Sequence, residues 1–124
     1  VIIIPQTGKM QEEAERLARL HEVYDTMRVN IVRADELYNE FSSGTPDANA
    51  YRRYLKMLYD RAGTDVGKPR FLLLFGDAAW DNRMLVSDWR QYATDDFLLC
   101  YESEDSFSET ACYVTDDFFG MLDD

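Results

Sequence analysis

Four consecutive apolar residues, Val1-Ile2-Ile3-Ile4, are closed at once by Pro5 and by Thr7-Gly8, and this run restricts the possible folds more than any other feature of the chain. A strand with one face in water alternates apolar and polar residues, so an unbroken, mostly β-branched run calls for burial on both faces. That is the position of an inner strand in a parallel sheet with helices above and below it.

The pattern that follows supplies the helices. Met10, Ala14, Leu17, Ala18, His21 and Tyr24 recur at helical spacing, with Glu12, Glu13, Glu15 and Arg16 on the other side, which predicts an amphipathic helix over 9–27 with Thr7 or Gly8 as its cap. Residues 29–32 predict a second strand. A short helix begins at Ala34-Asp35-Glu36-Leu37-Tyr38 and ends before Ser42-Ser43-Gly44-Thr45-Pro46. Asp47 opens a further helix with Ala50, Tyr51, Tyr54, Leu55, Leu58 and Ala62 as its apolar face and Gly63 at its C-terminal cap. Residues 71–75 predict a third strand after the turn at Gly67-Lys68-Pro69-Arg70. Alternating strands and helices give an α/β fold, a three-layer open and mostly parallel sheet.

Beyond Gly76-Asp77 the regularity fades. Residues 78–96 read as a long excursion carrying Trp80, Trp89 and Tyr92, residues 97–101 as a further strand, and 102–110 as a polar surface segment. The tetrad Thr-Asp-Asp-Phe occurs at 94–97 and again at 115–118, too short a match to establish a structural repeat. With three or four strands and no closing helices at the end, the chain reads as one unit, residues 1–124, to which a further part is expected to be joined. The aliphatic runs at 1–4 and 71–75 fall far short of the about 20 apolar residues of a membrane-spanning helix.

Charge divides the chain. Residues 1–94 hold 14 acidic and 13 basic side chains, whereas 95–124 hold 10 acidic ones and neither Lys nor Arg, so the net charge of −11 is almost wholly C-terminal. A phosphate backbone is bound by clustered Lys and Arg, and this balance argues against nucleic acid as a partner. A cation or a basic neighbour suits that end better.

Candidate chemistry is sparse. His21, the single histidine, stands in register with Leu17 and Tyr24 and is read as a helix-face residue near the core rather than a base. Cys100 and Cys112 have no neighbouring His or basic residue to lower a thiol pKa, and are read as unpaired thiols; a disulfide or a shared metal are the alternatives. Gly76-Asp77 follows a strand directly, where ligands gather in open α/β sheets; its structural reading is a glycine turn with the Asp77 carboxylate capping the next loop. The pairs Asp95-Asp96, Asp116-Asp117 and Asp123-Asp124 offer the oxygen ligands that Ca²⁺ takes, without the spacing of an EF-hand loop; solvated turns and helix caps are the alternative. Neither G-x-G-x-x-G nor a Walker-type pattern is present, which disfavours nucleotides. Pro5-Gln6-Thr7-Gly8 after the first strand lacks the acidic residues of a receiver-type phosphoacceptor domain.

Phe71-Leu72-Leu73-Leu74-Phe75-Gly76-Asp77, followed by Trp80-Asp81-Asn82-Arg83, resembles the strand and loop found early in gingipain-type (C25) cysteine peptidase domains. Tyr113-Val114-Thr115-Asp116-Asp117-Phe118-Phe119-Gly120, continuing to Leu122-Asp123-Asp124, resembles the motif after it, and Glu36-Leu37-Tyr38-Asn39-Glu40-Phe41-Ser42-Ser43-Gly44 and Leu58-Tyr59-Asp60-Arg61 fit the same family. Around Leu99-Cys100-Tyr101 and Ser106-Phe107-Ser108-Glu109 the wording is more similar to the family's sortase branch in type IX secretion than to the secreted gingipains.

The resemblance implies a caspase-like fold of two subdomains, of which this chain is the first, with the catalytic Cys and His both in the later one. No catalytic residue is carried over to His21, Cys100 or Cys112. It further implies a parent protein at the outer membrane, cell surface or periplasm of Bacteroidetes. That parent would cleave C-terminal sorting domains from secreted proteins and join the cargo to lipopolysaccharide, with any membrane association through the parent alone. Gingipains bind calcium, which directs attention to the acidic end, with Asp116 and Asp117 as the candidate Ca²⁺ ligands. A free-standing acidic α/β module that binds a cation or a basic protein is the alternative, and an autonomous hydrolase using Cys100 or Cys112 is the least favoured.

Overall fold

In a computed structural model, which describes residues 1–105 and 108–123, the opening apolar run is the centre of the sheet. β1 (Ile2–Ile4) pairs in parallel with β2 (Ile31–Arg33) on one side and with β3 (Leu73–Leu74) on the other, Ile3 standing opposite Val32 and Leu74. Alternation along a strand then sends Ile3 to one face and Ile2 and Ile4 to the other. Ile3 joins Leu37, Tyr38, Tyr51 and Leu55 from α2 (Ala34–Phe41) and α3 (Asn49–Arg61), while Ile2 and Ile4 join Ala14 and Ala18 from α1 (Gln11–Tyr24). Both faces are covered, so no position in β1 tolerates a polar residue. Each buried isoleucine contributes about 1.5–3 kcal/mol of transfer free energy.

α1 is shorter than its periodicity predicts. Ala14 and Ala18 are buried, and their small size lets the helix lie close to the sheet, but Tyr24 is 80% exposed and Val23 73%. The apolar stripe simply outruns the sheet beneath it. Neither Thr7 nor Gly8 caps the helix with a side chain; instead the Gly8 carbonyl, at a φ of +69°, accepts from the Gln11 N–H at 3.0 Å.

α2 leaves β2 without a linker. The Glu36 carboxylate accepts from the Arg33 N–H at 3.2 Å, satisfying a free donor at the helix start. α3 begins after the Asp47 carboxylate takes the Asn49 N–H at 2.9 Å, and its last residue, Arg61, is followed by Ala62 as the cap and then by Gly63 at a φ of +68°, beside the stop that the sequence indicates. Between the two helices the Tyr38 and Tyr51 hydroxyls meet at 2.7 Å, and the Tyr51 oxygen also accepts from the Leu99 N–H at 3.2 Å.

The later strands are broken into pieces. After β3 the chain kinks at Gly76, continues as β4 (Ala78–Ala79), and pairs in parallel with β5 (Leu98–Leu99). β6 (Tyr101–Glu102) then pairs antiparallel with β7 (Val114–Thr115), and α4 (Asp117–Gly120) closes on α3 with Phe119 fully buried against Tyr51. The two Thr-Asp-Asp-Phe copies differ in structure, one a single 3-10 turn at Thr94–Asp96 and the other bridging β7 and α4. They are not a repeat.

Candidate functional site

Gly76 and Asp77 stand at the carboxyl end of β3. A Cβ on Gly76 would lie 2.7 Å from Cγ of Pro5, so the turn after β3 passes the end of β1 only because no side chain is there. The expected capping role falls to a different atom: the main-chain carbonyl of Asp77, not its carboxylate, accepts from the Leu98 N–H at 2.8 Å and starts the β4–β5 pairing. Nearby, Gln6 Nε2 donates to Asp95 at 2.5 Å and Lys9 Nζ lies 2.7 Å from Asp96. The hydrogen bond from the Lys9 ammonium holds the Asp96 carboxyl below its usual range. These contacts pin the end of the long excursion against the turn between β1 and α1.

Cys100 occupies the break between β5 and β6 and is 5% exposed. Its thiol lies 3.1 Å from the Ala79 carbonyl, and burial, with the Glu102 carboxylate adding to it, pushes the thiol above its ordinary pKa. A nucleophile needs the reverse shift. Asn82 grips the same residue through its main chain: Oδ1 accepts from the Cys100 N–H and Nδ2 donates to the Cys100 carbonyl, each at 3.0 Å. Sequence reading gave Asn82 no role, because its partner lies 18 residues away and nothing local marks the pair.

Cys112 is exposed and free. His21 is half-exposed at the far end of α1 with Nδ1 2.6 Å from the Asp25 carboxylate, so it is a surface residue rather than a neighbour of the core. Neither thiol meets an imidazole among the described residues, and no nucleophile–base pair is assembled here.

At Asp116 and Asp117 the described hydrogen bonds are made by main-chain atoms. The Asp116 carbonyl accepts from the Phe119 N–H at 3.1 Å, and the Asp117 N–H donates to Thr115 Oγ1 at 3.1 Å. Among the described residues no group of three or more His, Cys, Asp or Glu gathers as a metal site; Asp124, with Ser106 and Phe107, lies outside them. No helix among the described residues is long and apolar enough to cross a membrane.

Comparison with known proteins supplies what this geometry alone does not. The model of peptidase family C25 matches residues 1–124. The crystal structure of dimeric latent PorU from Porphyromonas gingivalis is similar at 41% sequence identity and a TM-score of 0.81, over 98% of this chain and 12% of that one. This chain thus spans about an eighth of the PorU chain that it matches. No curated protein matches. A whole-length family match, joined to a mixed α/β fold with a parallel sheet shared with PorU, places the chain in peptidase family C25, the C25 cysteine peptidases.

Proposed function

We propose that this chain is the first subdomain of a PorU-like cysteine peptidase or sortase, forming scaffold and part of the cleft wall, and that by itself it hydrolyses nothing. The observation that carries the proposal is the 41% identity to PorU, sustained over 98% of the chain at a TM-score of 0.81. The state of the local chemistry agrees. The buried thiol of Cys100 is shifted away from reactivity, and His21 is engaged with Asp25. Exposed Phe71, Trp80, Leu85 and Tyr92 leave apolar surface just before and after the third strand, which suits a subdomain that docks against another.

In this reading the catalytic Cys and His belong to a later part of the same polypeptide, whose substrates are secreted proteins with C-terminal sorting domains. The parent acts at the cell surface or outer membrane. The test is cleavage of a sorting-signal peptide by this chain and by one extended about 250 residues downstream, a length of domain size. Activity confined to the longer chain, and lost when its downstream Cys is replaced, supports the proposal. Activity in the 124-residue chain overturns it.

A further inference from the structure

Within a chain of net charge −11, one helix face reverses the sign. Arg52, Arg53, Lys56 and Arg61 of α3, with Met57 and Asp60 between them, line a shallow open concavity of ≈ 400 Å³. Two of the arginines are positioned without being neutralised. Arg52 donates through Nε and Nη2 to the Met121 carbonyl at 2.9 and 2.6 Å, and Arg53 through Nη1 to the Phe41 carbonyl at 2.6 Å. A carbonyl fixes a guanidinium's orientation but leaves its full positive charge, and each of these forks keeps further N–H groups for a second acceptor. Among the described residues, the ion pair within this group is Lys56 with Asp60 at 2.8 Å, and none is made by Arg52, Arg53 or Arg61.

We infer that this face of α3 docks an acidic polypeptide segment, whose carboxylates meet the guanidinium edges while an aliphatic side chain rests on Met57. Charge complementarity selects the class of partner, since pre-oriented guanidinium groups favour carboxylates in two-point contact. A phosphate-dense surface fits less well. Bare phosphate has no use for the apolar side chain that Met57 adds to the lining.

The test is fluorescence anisotropy with a labelled dodecapeptide of alternating Glu and Ala, titrated with the 124-residue chain, beside a peptide with Gln in place of Glu. Saturable binding is expected for the Glu peptide alone, weakening as salt is raised. Arg53→Glu combined with Arg61→Glu is expected to weaken it about tenfold or more, while Arg16→Glu with Arg19→Glu, the same charge change on α1, leaves it unaltered. Arg61→Glu alone removes no described hydrogen bond and keeps the test decisive should the double variant fail to fold; it is expected to weaken binding in the same direction. Absent binding, or equal weakening by the α1 variant, overturns the inference. So does binding of phosphatidylglycerol vesicles or inorganic phosphate in place of the peptide. Self-association in sedimentation velocity that Arg61→Glu abolishes, with no peptide binding, would assign the face to a second copy and overturn it too.

Discussion

Pro5 and Gly76 touch across the end of the sheet, so closely that the space for one methyl group is already taken by the proline ring. Both residues adjoin strands that pair in parallel, Pro5 after β1 and Gly76 after β3. Gly76→Ala is expected to push these strand ends apart and to destabilise the chain by about 1–3 kcal/mol, the range for overpacking. Urea denaturation would show it as a lower midpoint. Gly63→Ala is a useful contrast, since a Cβ there meets nothing within 4 Å and only its φ of +68° opposes the change.

The two buried tyrosine hydroxyls are not equivalent. Tyr51→Phe removes the acceptor of the Leu99 N–H as well as the partner of Tyr38, whereas Tyr38→Phe leaves the Leu99 contact in place. Tyr51→Phe is therefore expected to destabilise by about 1–3 kcal/mol and Tyr38→Phe by less. A double-mutant cycle in denaturant measures the coupling between them.

Asp96 gives the stability a defined pH dependence. Its folded-state pKa is lowered, chiefly by the Lys9 hydrogen bond, so the contribution is complete above the unfolded value of about 3.9 and is lost as pH falls through the folded one. Asp96→Asn should consequently be less stable than the parent chain at pH 7, with the deficit shrinking once the pH drops below that unfolded value. Denaturation midpoints of both proteins across the acid range would reveal the convergence, and a constant gap would contradict it.

The two thiols should react on different time scales. At mild alkaline pH, Cys112 is expected to be modified rapidly by a thiol reagent and Cys100 only slowly, because burial both shields the latter and raises its pKa. Asn82→Ala removes two hydrogen bonds that hold the main chain at Cys100, should destabilise by about 1–3 kcal/mol, and is expected to accelerate Cys100 labelling. Mass spectrometry of time-resolved alkylation would separate the two sites.

How far the sequence could be read depended on whether a feature was local. Burial of β1 on both faces, the helix pair over 34–61 and the stop at Gly63 follow from runs and spacings within a few residues, and the structure has them. Tyr24 lies on the correct stripe of α1 yet in water, because strands of two and three residues end before the helix does. The kink at Gly76, the main-chain bond from Leu98 to Asp77 and the grip of Asn82 on Cys100 all join distant parts of the chain. No periodicity announces them. The family was legible from short motifs.

The place of β1 in the sheet has a consequence for how the chain folds. β1 lies in the middle of its sheet, and its second neighbour, β3, lies some 70 residues later in sequence. Until residues 73–74 exist, one edge of the most apolar segment of the protein has nothing to pair with. Closing so long a loop must precede the contacts that reward it, and until it closes the stretch from Val1 to Ile4 keeps one strand edge open to pairing with another chain.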